Sequence, residues 1–324
     1  MPGAMLSRIR NALYDHGWLS VTRPRAFVIS IGNLTWGGTG KTSLAAHLAD
    51  HLCCRGYRVA ILSRGYGRRS KGVVVVSNGD SMCCDWQTAG DEPYWLGQTV
   101  PKAMVVVAEN RVEGLKALEP FTPDVILLDD GFQHRRIARD IDLLLIDASE
   151  NLLRQRVLPF GKLREPIDSI ERASAIVLTH ASRAHTSTLD WIVSHARAPV
   201  FHADYVPVRN DLAGKKLAAF CALGSPQHFF DMLEQAGATL VFHQDFRDHH
   251  VYTGPELALL NANAERAGAE ALATTAKDAV KIAPDAFRLP LCVVEATLKL
   301  QEEERLFQFL HERLPAPVAV TKES

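Results

Sequence analysis

Ala26-Phe27-Val28-Ile29-Ser30-Ile31 leads directly into Gly32-Asn33-Leu34-Thr35-Trp36-Gly37-Gly38-Thr39-Gly40-Lys41-Thr42. An apolar run of this kind reads as a buried strand. The glycines after it let backbone N–H groups turn inward, and the pattern from Lys41 onward is helical. Strand, glycine loop and helix in that order form a phosphate cradle, because the amides and the helix N-terminus together favour an anion. Lys41 is placed to reach β- and γ-phosphates, and Thr42 to ligate magnesium. The expected nucleotide contacts are Thr35, Gly37, Gly38, Thr39, Gly40, Lys41, Thr42 and Ser43, with ATP and Mg2+ as cofactors. Position 35 departs from the usual spacing, with threonine in place of glycine. Trp36 stands where dimeric P-loop ATPases of the division-site and arsenite-pump type carry a second lysine, which argues against those classes.

Working outward, Arg58–Leu62, Ala103–Val107, Val125–Leu128, Leu143–Ile146 and Ala175–Leu178 are also short, apolar and rich in Val, Ile and Leu. Strands buried on both faces look like this. Helical patterns at 41–55, 92–96 and 111–118 lie between them. The expected fold is therefore α/β: a P-loop NTPase-like, doubly wound, mostly parallel sheet. Near 204–215 the pattern loosens, and a domain boundary is expected at 208/209. Strands at 217–221, 240–243, 272–274 and 291–295, with helices at 226–234, 255–267 and 302–313, are assigned to a second, smaller α/β domain over 209–324. The tail 321–324 reads as polar.

Val125–Leu128 ends in Asp129-Asp130-Gly131. A strand that delivers carboxylates to the edge holding the phosphate loop suits magnesium binding. Both aspartates are metal candidates, and their roles must differ because adjacent residues leave a strand in different directions. Gln133-His134-Arg135-Arg136 follow, and suit either a charged substrate or a solvated loop. Asp91, in Gly90-Asp91-Glu92-Pro93, reads as a helix N-cap or as a base for an acceptor hydroxyl. His249, in Asp248-His249-His250, reads as a surface histidine or as a proton partner for a carboxylate.

The bulk composition narrows the classes. The chain has 324 residues, 47% hydrophobic and 23% charged, with net charge −1. Such a balance gives no general attraction to nucleic acid. The six cysteines lack zinc-finger or disulfide-framework spacing. Thr275-Ala276-Lys277-Asp278 lacks the residue between lysine and aspartate that guanine-binding switches carry. No run is long enough to span a bilayer. Leu6, Ile9 and Leu13 at helical spacing, with Arg8, Arg10 and a following Trp18, read as a helix packed on its own domain or as one lying on a membrane surface.

Taken in order, several blocks resemble the tetraacyldisaccharide 4'-kinase family over nearly the whole chain. They are Gly32-Asn33-Leu34 through Thr42, Ser63-Arg64-Gly65-Tyr66-Gly67, Gly90-Asp91-Glu92-Pro93 and Asp129-Asp130-Gly131-Phe132-Gln133-His134. Leu158-Pro159-Phe160-Gly161 through Leu163-Arg164-Glu165-Pro166, Asp248-His249 and Thr274-Thr275-Ala276-Lys277-Asp278 complete the set. The resemblance implies transfer of phosphate from ATP to the 4'-hydroxyl of a tetraacyl glucosamine disaccharide 1-phosphate, forming lipid IV-A. It implies Asp91 as base, His249 as its helper, and Lys41 and Asp130 in the catalytic set. It implies that Thr42, Asp129 and Asp130 organise magnesium, and that Arg64, Tyr66, Arg111, Gln133, Arg164 and Glu165 face the lipid headgroup or phosphates. A peripheral enzyme on the cytoplasmic face of a bacterial inner membrane follows from the same resemblance. The expected form is a monomer without nucleic-acid partners.

Overall fold

The computed structural model describes residues 2–208, 211–283 and 285–317. The expected boundary at 208/209 therefore abuts residues outside the described set, and the polar tail at 321–324 lies outside it altogether. The first half of the chain runs α1 (Pro2–Asp15), β1 (Phe27–Asn33), α2 (Lys41–Cys54), β2 (Val59–Ser63), β3 (Val74–Asn78), α3 (Trp86–Ala89), α4 (Asp91–Thr99), β4 (Met104–Val107), α5 (Arg111–Leu118), β5 (Val125–Asp129), β6 (Ile141–Asp147) and β7 (Ala175–Thr179). The second half continues α6 (Thr186–His195), β8 (Val200–Pro207), β9 (Lys216–Cys221), α7 (Pro226–Gln235), β10 (Thr239–Asp245), α8 (Gly254–Arg266), β11 (Ala271–Thr275), α9 (Ala276–Ala279), β12 (Leu291–Val294), β13 (Ala296–Leu300) and α10 (Glu303–His311).

Two sheets result. The larger has nine strands in the order β13-β8-β7-β6-β1-β5-β2-β4-β3, and the smaller has four in the order β10-β9-β11-β12. Within the larger, β3 and β13 pair antiparallel with their neighbours and the remaining pairings are parallel. The central strands β2, β5, β6 and β7 are buried along their whole length. Helices therefore cover both faces, as a parallel sheet requires. On one face Leu44, Leu48 and Leu52 of α2 pack on Ile29, Ile31, Ile61 and Leu127. On the other, Leu115 and Leu118 of α5 pack on Ala60, Leu62 and Leu128.

The chain does not end in the smaller unit. β13 pairs with β8 at the edge of the large sheet, from Ala296 opposite Pro207 to Leu300 opposite Ala203. Leu306, Phe307 and Leu310 of α10 then join the same core as α2. The helix at 302–313, assigned from sequence to the second unit, thus packs on the first, and the smaller sheet is an insertion between β8 and β13. β3, β8 and β13 were not read as strands. All three carry exposed or half-buried positions, so the continuous apolar signal of the inner strands is diluted in them.

Helix α1 sits in an unusual way. Its polar residues face the protein: Asn11 is buried, and Asn11 Nδ2 donates to Glu165 Oε2 at 3.1 Å. Arg10 also pairs with Glu165. Met5, Leu6 and Ile9 are exposed. Of the two sequence readings, packing on the domain holds for the polar side of the helix and leaves the apolar side uncovered.

Candidate active site

Sheet register brings the loop and the acidic pair together. Ile31 of β1 lies opposite Asp129 of β5, so the strand leading into the phosphate loop and the carboxylate share one edge. The loop is shaped from within: Asn33 Nδ2 donates to Thr39 Oγ1 at 2.9 Å. Gly40, at φ 87°, cannot be replaced without strain, and a Cβ there would lie 1.3 Å from the Tyr205 hydroxyl. The first turn of α2 follows, with Leu44 N donating to Gly40 O at 3.0 Å.

The two aspartates behave differently, as their adjacency requires. Asp129 Oδ2 accepts from Ser63 Oγ at 2.9 Å, while its Oδ1 is buried with no hydrogen-bond partner. Burial, reinforced by the charges of Glu92 and Asp130, pushes its carboxyl up to about 6. Asp130 leaves the strand with φ 54°. Both of its oxygens accept from Arg164 Nη1, at 2.6 and 2.7 Å, and Lys41 Nζ lies 3.6 Å away. Burial would raise the Asp130 carboxyl, but Lys41, Arg164 and Arg111 hold it down to about 2. Arg111 is buried and donates to the Asp130 carbonyl at 3.3 Å. Gln133 Nε2 donates to the Asn33 carbonyl at 2.9 Å.

A cleft of about 830 Å3 opens above this edge, between the two units. Gly37 to Ser43, Arg64, Tyr66, Arg111, Asp129, Asp130, Gln133, Arg164 and His249 line it. Thr35 lies at one side in an adjoining recess. Glu165 is not in the cleft. It is fully buried and holds Arg10, Arg172 and Asn11, so its place is structural, under α1.

Across the cleft, His249 Nδ1 lies 3.0 Å from both Oδ1 and Oδ2 of Asp91. Gly90, not Asp91, is the N-cap of α4; Asp91 is its first residue, and its Oδ1 accepts from Glu92 N at 2.9 Å. A carboxylate is favoured there by the helix N-terminus. Burial alone would raise the Asp91 carboxyl, but the His249 hydrogen bond and charge, then Lys281 and Lys277, hold it well below the usual range. Burial likewise opposes charge on His249, and Asp91, Asp248 and Glu92 outweigh it, so the imidazole is shifted upward. The Tyr66 ring stands 5.1 Å from the His249 ring.

Sequence reasoning missed three features. Lys281 is buried and bridges Asp91 Oδ2 at 3.2 Å and Asp278 Oδ1 at 2.9 Å. Lys277 Nζ pairs with Glu92 Oε1 at 2.6 Å. Gly224 of the second unit approaches the phosphate loop so closely that a Cβ on it would lie 3.5 Å from Gly38 N. The block 274–278 was noticed, but nothing local in it points to partners some 185 residues earlier.

The comparisons with known proteins agree with one another. The family described as tetraacyldisaccharide-1-P 4'-kinase matches residues 3–315. The tetraacyldisaccharide 4'-kinase of Geobacter metallireducens is 39% identical over 314 residues, covering 93% of this chain and 91% of that one. The Aquifex aeolicus enzyme of the same name is 37% identical over 312 residues, covering 93% of each chain. A crystal structure of LpxK from Aquifex aeolicus in complex with ATP superposes with a TM-score of 0.76 at 34% identity, covering 96% of each chain. The chain is thereby a member of the tetraacyldisaccharide-1-P 4'-kinase family.

Proposed function

We propose that this protein transfers the γ-phosphate of ATP to the 4'-hydroxyl of a tetraacyl glucosamine disaccharide 1-phosphate, giving lipid IV-A in lipid A biosynthesis. Family membership supports the reaction. The observation that carries the mechanism is the contact of buried Asp91 with His249, which lines the same cleft as the phosphate loop. Asp91 orients the acceptor hydroxyl and takes its proton. A carboxylate held so acidic accepts a proton only late. That suits phosphoryl transfer, whose loose transition state needs positioning more than a strong base. His249 holds Asp91 in orientation and shares its charge. Lys41 stabilises the transferring group, and Arg64, Arg111 and Arg164 offer planar, bidentate donors to phosphates.

The donor set fits magnesium, since Asp129 keeps a buried oxygen without a hydrogen-bond partner and Thr42 adds a hydroxyl at the start of α2. Those two residues would hold the ion, which when bound supplies positive charge beside the phosphates. Asp130 clamps Arg164 and Lys41 rather than offering an open carboxylate.

No helix among the described residues is long and apolar enough to cross a membrane. The outward apolar face of α1, with Arg8 beside it, supports peripheral attachment to an anionic bilayer, here assigned to the cytoplasmic face of the inner membrane. The reading is of a monomer.

The test is transfer of label from γ-labelled ATP to a tetraacyl disaccharide 1-phosphate in mild detergent with magnesium, beside a lipid-free control. Labelled lipid with wild type and none with Asp91→Ala is expected. Equal ATP hydrolysis with and without lipid, and no labelled lipid, would overturn the assignment.

A further inference from the structure

A second set of side chains bridges the two units, and the proposed phosphate transfer gives it no role. Asp147 ends β6, and His180 follows β7. His228 lies in the first turn of α7, in the smaller unit. One ligand atom from each lies within 4.8 Å of the others. We propose that Asp147, His180 and His228 form a binding site for a divalent transition-metal ion of the zinc class, one that fastens the smaller unit to the larger.

Three features of the cluster point to a ligand. His180 is about nine-tenths buried and its Nδ1 makes no aligned hydrogen bond, although Asp147 Oδ1 is only 3.1 Å away. Its backbone is held at φ 53°, an uncommon conformation for a residue with a side chain, which aims the ring at this point. Asp147 is anchored from behind, with Ser149 N and Oγ donating to Oδ1 at 3.0 and 2.6 Å, as carboxylate ligands commonly are.

The donor set and spacing select the metal. Two imidazoles and one carboxylate suit zinc, iron(II), nickel or copper, whereas magnesium and calcium take oxygen ligands. At zinc bond lengths of about 2.0–2.2 Å, neighbouring tetrahedral ligands stand roughly 3.3 Å apart. His180 Nδ1 stands 3.1 Å from Asp147 Oδ1 and His228 Nδ1 stands 4.0 Å from the other oxygen, Oδ2, so a carboxylate that meets both through one ion draws α7 toward β6. His180 and His228 both line the cleft, which leaves a fourth position open to water or a substrate oxygen.

The test uses the full chain, stripped with chelator and titrated with Zn2+ and, separately, Co2+. Wild type is expected to bind one ion per chain, to gain melting temperature with zinc, and to give visible Co2+ bands of histidine–carboxylate ligation. His228→Ala, and the bulkier His228→Gln, should each weaken binding at least tenfold and abolish the melting shift. His311→Ala, which alters the separate His51–His311 contact at 3.2 Å, should leave binding unchanged. Co2+ bound through cysteine thiolates instead would show a near-ultraviolet thiolate band. That band in place of the histidine signature, equal binding by wild type and both His228 variants, or loss of binding in His311→Ala would overturn the proposal.

Discussion

His249 Nδ1 stands 3.0 Å from each carboxylate oxygen of Asp91, reaching across the cleft from a backbone at φ 60°. Strain of this kind persists only where surrounding contacts hold it. Here the contact joins the two units, at the point where the proposed mechanism seats the acceptor. Asp91→Asn should lower turnover about 10²- to 10⁴-fold with ATP affinity nearly unchanged. His249→Gln should lower it less. The double variant should be no slower than Asp91→Asn alone, because the two act as one device. Single-turnover kinetics beside calorimetric ATP titration checks this; additive losses would separate the residues.

The same pair makes stability depend on pH. The folded-state pKa of His249 is raised above its unfolded value. Its contribution is therefore full below about pH 6.5 and disappears as pH rises through the higher folded value. The gap in melting temperature between wild type and His249→Gln should shrink across that window. A gap that widens with rising pH would contradict the assignment of a charged imidazole.

Lys281 and Lys277 give a graded comparison. The Lys281 side chain is 1% exposed, whereas that of Lys277 is 24% exposed. Lys281→Met leaves Asp91 and Asp278 without their shared cation and should cost about 3–5 kcal/mol. Lys277→Met keeps water within reach of Glu92 and should cost only about 1–2 kcal/mol. Urea unfolding of both variants measures the difference; equal losses would mean that burial does not set the penalty.

Helix α1 separates attachment from chemistry. Leu6→Glu with Ile9→Glu alters exposed positions only and should leave stability within about 0.5 kcal/mol of wild type. Co-sedimentation with anionic vesicles should fall at least tenfold, while turnover on detergent-dispersed lipid changes little. Glu165→Ala should do the opposite. It strips the buried carboxylate from Arg172 and Arg10 and should destabilise the fold by about 3–5 kcal/mol.

What the sequence revealed follows from how local each signal is. The phosphate loop and Asp129-Asp130 could be read because strand, turn and chemistry lie within a few consecutive residues. Asp91 and His249 stayed ambiguous until the resemblance was considered, since their meaning depends on a contact spanning 158 residues. Lys281 was silent, and Gly224 received no role, for the same reason. Glu165, which the resemblance put beside Arg164 at the headgroup, lies under α1 instead. In the fold, successive side chains there point opposite ways, Arg164 to Asp130 and Glu165 to Arg10 and Arg172.

The return of β13 to the large sheet has a consequence during synthesis. The strand beside β8 and the helix α10 that covers α2 follow β12 in the chain, and so leave the ribosome after the whole smaller unit. Until they emerge, β8 presents an open edge, and Ala203 and Phe201 lack part of their packing. The smaller unit, complete by β12, can fold first while its host waits. A chain released just after β12 would thus lose the closing edge of the large sheet while keeping a finished smaller unit. It would offer an unpaired strand to other chains and a target to proteases.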